Sequence, residues 1–196
     1  MNKERLTAFS DGVIAIIITI MVLELKVPQG AGWAALVGML PILLSYVLSF
    51  LYVAIYWNNH HHMLHTVRRV NGMILWANTH LLFWLSLTPV ATAWLGQNYR
   101  APLPTAVYGA LLLMSGAAYY ILQQTIVRTE GHDSTLAMAL GSDLKGKLSI
   151  VLYATAIGLA FVDPWISDAL YAGVALMWFV PDRRIERQLT RTAPPG

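Results

Sequence analysis

Six long apolar segments dominate this chain of 196 residues. Charged residues make up only 12% of the sequence, about half the fraction found in soluble domains. A helix of about 20 apolar residues crosses the hydrocarbon core of a membrane. No segment shows the two-residue alternation over several strands that a membrane β-barrel needs. The sequence therefore predicts one all-α integral membrane domain over 1–196, with six transmembrane helices at about 6–26, 33–65, 72–95, 104–127, 148–162 and 165–180.

Prolines and one polar stretch mark the boundaries of these segments. The first segment ends before Pro28, and Pro89 predicts a kink in the third. The stretch 128–147 is polar and contains glycine, which predicts the longest loop. Asp163-Pro164 predicts a turn between the fifth and sixth segments.

The basic residues predict the orientation of the spans. With six spans and a cytoplasmic N-terminus, the C-terminus is cytoplasmic too, and only Lys26 and Arg100 lie outside. Basic residues concentrate on the cytoplasmic side of membrane proteins, where they meet anionic lipid. The net charge of +3 therefore needs no nucleic-acid partner. The eleven residues predicted on the cytoplasmic side are Lys3, Arg5, Arg68, Arg69, Arg128, Lys145, Lys147, Arg183, Arg184, Arg187 and Arg191.

Several function classes are excluded or disfavoured by the composition. The chain has no cysteine, so thiol catalysis, iron–sulfur clusters and cysteine-based zinc sites are excluded. The 128–147 stretch contains no phosphate-binding glycine motif and no kinase or hydrolase signature. No span carries the regularly spaced arginines of a usual voltage sensor. We expect neither an enzyme nor a cofactor.

The first span is short for a membrane helix. Only twelve uncharged residues separate Asp11 from Glu24, which is about 18 Å of helix against about 30 Å of hydrocarbon. Ser10 and Asp11 must therefore enter the membrane or its inner interface. A carboxylate there is costly unless it faces protein or water. We expect the other helices to enclose this one.

A helical wheel with about 100° per residue separates two faces of the first span. Ser10 and Asp11 point away from an apolar stripe that contains a single hydroxyl. The stripe follows the spacing i, i+4, i+7, i+11 and consists of Gly12, Ile16, Thr19 and Leu23, with Ile20 at its border.

Two motifs stand on the first and third spans. The first reads R-x-x-x-F-S-D and the second W-A-N-T-H; their residues are Arg5, Phe9, Ser10 and Asp11, then Trp76, Asn78 and His80. This pattern resembles the signature of the transmembrane protein 175 family of lysosomal and bacterial potassium channels, and the resemblance covers the whole chain. Bacterial members carry one six-helix unit and assemble as homotetramers. The resemblance implies a bacterial inner-membrane protein that partners itself, membrane lipid and permeant potassium ions.

The resemblance also implies a role for the apolar stripe. In this family the first helices surround the pore, and there is neither a T-V-G-Y-G filter nor a separate pore loop; this sequence has no T-V-G-Y-G either. The family's pore positions correspond to Ile16, Thr19, Ile20 and Leu23. A ring of Ile16 side chains would form a hydrophobic gate. Thr19 hydroxyls would give modest selectivity for potassium over sodium, and Leu23 a second apolar ring.

The motif residues are expected to hold the first helix in place. On the basis of the family resemblance and helical depth, Ser10 and Asp11 would hydrogen-bond within the protomer to Trp76 and His80. Arg5 would pair with Asp11. Trp76 and His80 are accordingly expected to be hydrogen-bonded core residues.

Each pattern on the first span has a simpler interpretation. An apolar stripe usually faces lipid or a protein core. A threonine such as Thr19 usually bonds the carbonyl four residues before it in its own helix. The motif favours the pore interpretation.

Four histidines, His60, His61, His62 and His65, stand near the end of the second span. His61 and His65 have the i, i+4 spacing of two metal ligands on one helix face, but the sequence is not H-E-x-x-H. We interpret the cluster as a hydrated interfacial face. A pH sensor or an incidental divalent-metal site is the alternative.

The sequence leaves two alternative functions to consider, a secondary transporter and a membrane enzyme. A proton-coupled secondary transporter would use Asp11 and His80 as a proton relay, but such proteins usually show two related halves, and the R-x-x-x-F-S-D motif is not repeated. A membrane enzyme using the second-span histidines lacks further carboxylates at membrane depth. The sequence favours a passive, potassium-preferring cation channel.

Overall fold

The fold is helical throughout the part of the chain that the structure describes. A computed structural model describes residues 2–131, 134–140 and 143–179. Arg183, Arg184, Arg187 and Arg191, and the predicted end of the sixth span at residue 180, lie outside these ranges. The predicted all-α class is confirmed by the helices α1 (Lys3–Leu23), α2 (Trp33–His65), α3 (Gly72–Ser86), α4 (Thr88–Gln97), α5 (Pro102–Glu130), α6 (Thr135–Leu140), α7 (Leu144–Leu159) and α8 (Pro164–Phe179).

Four helical stretches of the described residues are long and apolar enough to cross a membrane. They are α1, α2, the combined stretch Gly72–Gln97, and α5. α7 and α8 lie in the predicted fifth and sixth spans; α7 has 16 residues, and α8 has 16 up to Phe179, where the described range ends. The length of α7 corresponds to about 24 Å, which is shorter than a hydrocarbon core of about 30 Å.

The predicted kink in the third span is a break between two helices. α3 ends at Ser86 and α4 begins at Thr88, with Leu87 as the cap residue of both. Pro89 stands in the first turn of α4. A proline is tolerated there because that backbone N–H has no partner within the helix.

The stretch 128–147 is more ordered than the loop predicted from its polarity. α5 continues to Glu130, α6 occupies Thr135–Leu140, and α7 begins at Leu144. Leu136 is buried in the core, which gives the short helix α6 an apolar anchor. The loop was predicted from the polar composition of this stretch, and composition does not show that Leu136 is buried against other helices.

Two clusters of buried side chains hold the helices together. The first joins α1, α2, α3, α5 and α6 through residues such as Ile17, Ile74 and Leu122. The second joins α2, α4, α5, α7 and α8 around Tyr108 and Tyr171. α2 and α5 contribute to both clusters, so they connect the two parts of the protomer.

The second cluster contains a close helix crossing at Gly109. The Tyr171 hydroxyl passes over Gly109 and donates to the carbonyl of Thr105, 3.1 Å away. A β-carbon at position 109 would clash with the Tyr171 hydroxyl oxygen and would come within 2.9 Å of Ile157 Cγ1. Only glycine leaves room for this crossing of α5 with α7 and α8.

We predict that Gly109→Ala destabilises the protomer. The added methyl group must displace the Tyr171 ring and break its hydrogen bond to Thr105, at a cost of about 1–3 kcal/mol. Gly173→Ala in α8 is the matched control, because a β-carbon there meets no atom within 4 Å. Thermal unfolding of the purified protein in detergent should show a lower Tm for Gly109→Ala alone. Equal Tm values for the two variants would contradict the argument.

Candidate functional site

The first helix has one packed face and one exposed face. Five residues at intervals of three and four face the other helices and are buried: Leu6, Ser10, Ile14, Ile17 and Met21. This spacing describes one side of a helix. The expectation that other helices enclose α1 is therefore correct for this side and wrong for the opposite one.

The predicted stripe lies on the exposed face of α1. Ile16, Ile20 and Leu23 are 58%, 43% and 80% exposed in the protomer, and Gly12 and Thr19 are exposed too. The structure thus places all five side by side, away from the core of their own protomer. Large apolar side chains exposed together mark a surface that contacts lipid or another protein.

Thr19 is the polar group of this stripe. Its hydroxyl donates to the carbonyl of Ile16, 2.8 Å away and three residues back. The simpler interpretation expected a hydrogen bond from Thr19 to its own helix, and this bond is present. It goes to the carbonyl three residues earlier rather than four. A hydroxyl that donates in this way still has oxygen lone pairs to offer, and the residue is exposed.

A directional chain of hydrogen bonds joins α1 to α3 and α2. The Asn78 amide Nδ2 donates to Ser10 Oγ at 3.0 Å, and Ser10 Oγ donates to the Leu6 carbonyl at 2.9 Å. The Asn78 Oδ1 atom lies 2.7 Å from His60 Nε2, which must then be the donor because an amide oxygen only accepts. Ser10, Asn78 and His60 are at most 1% exposed.

The predicted partners of Ser10 and Asp11 are wrong. Ser10 bonds to Asn78, and Asp11 Oδ1 accepts from the indole N–H of Trp57 in α2 at 2.9 Å. His80 instead contacts Trp84 of its own helix, with 2.9 Å between the two nitrogens. The proton relay from Asp11 to His80 is therefore not connected by a hydrogen bond within the described residues.

Helical geometry explains why Trp76 and His80 are not the partners. Asn78 lies on the packed side of α3, and a residue two positions away on either side is rotated by about 200°. Trp76 is accordingly 77% exposed, which contradicts the expectation of a core residue. His80 is half-buried.

Arg5 and Phe9, the remaining residues of the first motif, are exposed. Phe9 is 58% exposed. Within the part of the chain that the structure describes, no ion pair links Arg5 to Asp11. The predicted pairing fails because Asp11 turns toward Trp57 on α2.

The histidine cluster divides between two faces of α2. His60 is buried with Val53 and Leu64, so its interpretation as a hydrated interfacial residue is wrong. His61 and His65 lie on another side, with their Nε2 atoms 3.1 Å apart. Among the described residues, no group of three or more histidine, cysteine or acidic side chains could hold a metal ion.

The sequence patterns did not point to Trp57, and they placed His60 in hydrated surroundings although it is buried. The signal for His60 was present, because it follows the apolar Val53 by seven residues and precedes Leu64 by four, the spacing of one helix face. Trp57 gave no comparable signal, since an exposed tryptophan near a span end is typical of a membrane interface.

Comparison with known proteins identifies the family. Residues 5–89 match the family model described as endosomal/lysosomal potassium channel TMEM175, a region that contains both motifs. A protein named as a potassium channel from Chryseobacterium sp. is 56% identical over 189 residues, covering 96% of this chain and 98% of the relative. The chain belongs to the TMEM175 family. The resemblance drawn from the two motifs is thereby confirmed.

Two further TMEM175-type relatives extend the similarity across the chain. A protein named as a potassium channel from Streptomyces collinus is 33% identical over 193 residues, covering 91% of this chain and 92% of the relative. The crystal structure of a lysosomal potassium-selective channel TMEM175 homolog from Chamaesiphon minutus matches with a TM-score of 0.79 at 27% identity. It covers 92% of this chain and 97% of that one. The fold described above is therefore a TMEM175 fold, and the protein is an integral membrane protein.

We predict that Asn78→Leu destabilises the packing of α1. Leucine removes both hydrogen-bonding groups of Asn78, so the Ser10 hydroxyl loses its donor and the His60 N–H loses its acceptor. Ser10 keeps its bond to the Leu6 carbonyl, whereas the buried His60 N–H is left unpaired, at a cost of about 1–3 kcal/mol. Thermal unfolding should therefore begin at a lower temperature.

The control for this prediction is Thr79→Val in the same helix. Thr79 is exposed and bonds only to its own helix, at the Leu75 carbonyl. Its Tm should remain close to that of the unmodified protein. A wild-type Tm for Asn78→Leu would mean that the buried chain does not stabilise the protomer.

Proposed function

We propose that this chain is a potassium-selective cation channel that conducts passively through a homotetrameric pore lined by α1. The observation that carries the proposal is the exposed apolar face of α1 with a single hydroxyl group, that of Thr19. One helix cannot enclose a conduit, so several protomers must contribute this face around a common axis. The family membership and the relatives named as potassium channels support the same function.

The proposed pore has three kinds of ring. Ile16 and Ile20 would form an apolar constriction, where narrowing expels water and closes the pore. Leu23, the most exposed of these side chains, would add a second apolar ring one to two turns further along α1. No cofactor and no catalytic group takes part, and potassium is the permeant ion.

Thr19 would provide the modest selectivity. Four hydroxyl oxygens can replace only part of the hydration shell of an ion, and they are fewer than the stacked carbonyl rings of a dedicated potassium filter. A larger ion that dehydrates more easily is then favoured over sodium. Because each Thr19 hydroxyl proton is directed to the Ile16 carbonyl, the oxygen lone pairs are left for the ion.

The motif residues would hold and present this face. We propose that the chain of Ser10, Asn78 and His60 fixes the rotation of α1 about its own axis, and that Asp11 adds a second attachment through Trp57. Phe9 and Trp76, being exposed, would be covered by neighbouring subunits. Arg5 would face the inner membrane surface.

We also propose six spans with both termini in the cytoplasm of a bacterial inner membrane. The eleven-to-two distribution of basic residues supports this orientation. The short α7 would then cross a locally thinner part of the membrane, helped by its packing against α5. Membrane lipid would cover the remaining apolar surface.

Ile16→Asn tests the constriction. Reconstituted in liposomes with a potassium gradient, the unmodified chain should conduct potassium without a proton gradient. Asparagine should hydrate the narrow ring, and a barrier lowered by about 1.4 kcal/mol raises the flux roughly tenfold. Leu44→Asn in α2 is the control, because Leu44 is 61% exposed, close to the 58% of Ile16, but lies outside α1. Unchanged flux in Ile16→Asn would remove Ile16 as the narrow point, and flux that requires a proton gradient would favour a transporter.

Thr19→Ala tests the selectivity. Losing the hydroxyl ring should move the potassium-to-sodium permeability ratio toward 1, by about two- to fivefold if the ring as a whole favours potassium by about 0.5–1 kcal/mol, the size of one net hydrogen bond. The measurement is the reversal potential under bi-ionic conditions. Thr79→Ala, a similarly exposed threonine bonded to its own helix, should leave the reversal potential unchanged. An unaltered reversal potential in Thr19→Ala would exclude Thr19 from the selectivity mechanism.

A further inference from the structure

A cavity lies among α2, α5, α7 and α8. It has a volume of about 320 Å³. That volume is at the lower end of the range of about 300–1,000 Å³ for small-molecule sites. No residue of α1 lines it, so the cavity is separate from the proposed pore.

Aromatic rings dominate the wall of this cavity. Two of them, Tyr56 and Tyr119, meet edge to face with centroids 5.9 Å apart. The face of an aromatic ring attracts cations because it carries partial negative charge. The lining rings are those of Tyr52, Tyr56, Tyr119, Tyr120, Tyr153 and Trp178.

Two amide side chains add hydrogen-bonding groups to the wall. Gln123 is 5% exposed, and within the described ranges no hydrogen bond accounts for its amide. Asn59 donates its amide N–H to the Ile55 carbonyl at 3.0 Å, which leaves its oxygen as an acceptor. An alkyl chain in this cavity would leave the Gln123 amide and the Asn59 oxygen without partners, at a cost of about 1–3 kcal/mol for each.

One carboxylate stands where α7 begins. Asp143 is half-buried, lines the cavity and accepts the backbone N–H of Gly146 at 3.3 Å. Lys147 also lines this end but is exposed, so water screens its charge more strongly than that of Asp143. The Lys145 ammonium lies 5.9 Å from the centroid of the Trp178 ring, so one lining ring already has a cationic neighbour. An anionic ligand in the cavity would be repelled by the Asp143 carboxylate.

We propose that this cavity binds a small organic ammonium ion with an apolar body. The apolar body contacts the tyrosine rings, and the ammonium head is placed near Asp143 and the Asn59 oxygen. The apolar body is placed beside Gly116, which lines the cavity and has no side chain to occupy it. A β-carbon there would come no closer than 3.7 Å to the Tyr56 hydroxyl and 4.0 Å to Tyr153 Cε2.

The test uses three probes with one phenyl body and different heads: phenylethylammonium, 2-phenylethanol and 3-phenylpropionate. Each is titrated calorimetrically against the full chain in nanodiscs, with empty nanodiscs as the blank. Phenylethylammonium should bind saturably and at least about tenfold more tightly than the other two, because only its head is attracted by Asp143 and the aromatic faces. Absence of saturable binding, or equal binding of the neutral or anionic probe, would overturn the proposal.

Asp143→Asn removes the negative charge of this residue while keeping an oxygen that can cap α7, so it tests the role of the charge alone. Asparagine retains the helix-capping oxygen and tolerates the left-handed backbone at this position, where φ is 40°. The Kd of phenylethylammonium should rise about tenfold, as expected when one partly exposed charge partner is lost. Asp163→Asn is the matched control, because Asp163 accepts the N–H of Trp165 at 3.0 Å but does not line the cavity. An unchanged Kd in Asp143→Asn would contradict the assigned head position.

Gly116→Leu tests the body of the site by filling it. The variant should lose phenylethylammonium binding while keeping its elution volume, because the β-carbon meets only ordinary contacts and the rest of the leucine side chain enters the cavity. Gly158→Leu on the exposed side of α7 should bind as the unmodified chain does. Undiminished binding in Gly116→Leu would place the probe elsewhere, and Asp143→Asn still reports on the site if Gly116→Leu has a lowered Tm.

Discussion

The orientation of α1 depends on one buried chain of hydrogen bonds between three helices. Ser10, Asn78 and His60 are shielded from solvent, and the direction of each bond follows from the groups available. Rotating α1 by one residue, about 100°, would separate Ser10 from Asn78 and turn Ile17 out of the core. Such a rotation is unfavourable because it would leave buried polar groups unpaired. The same face of α1 therefore stays exposed. The outward position of Ile16 and Thr19 follows from this constraint.

The two buried clusters divide the protomer into parts with different exposed features. α1 belongs only to the first cluster, whereas the aromatic cavity lies between the two: Tyr119 packs against the first cluster and Tyr153 belongs to the second. α2 and α5 are shared by both clusters. α2 carries His60 and Trp57, which hold α1 through polar contacts, and also Tyr56, which lines the cavity, while α5 contributes Gln123 to the cavity wall. A change in the position of either shared helix would therefore reach both the contacts of α1 and the wall of the cavity.

Much of the fold could be predicted from the sequence, and the site only in part. The apolar runs located α2 and α5 well, because a long hydrophobic segment has few alternatives to a helix. The helical wheel placed Ile16, Thr19 and Leu23 on one face, since the geometry of a single helix is known in advance. It could not name the partner of Asp11, because Trp57 and His80 are both plausible donors and their choice depends on how α2 and α3 pack. The role of Leu136 in forming α6 was hidden for the same reason.

The sequence alone determined the membrane class, the approximate helices and the two faces of α1, because hydrophobicity and helical periodicity act locally along the chain. The tertiary structure decided which of these faces is buried and which side chains complete the polar contacts. His60 shows the difference: its neighbours in sequence suggested a hydrated histidine cluster, but the packing of α2 against α1 and α3 buried it beside Asn78. Burial and hydrogen bonding between helices depend on how residues far apart in the sequence come together. The periodicity of one helix shows which side chains share a face, but not which helix that face contacts.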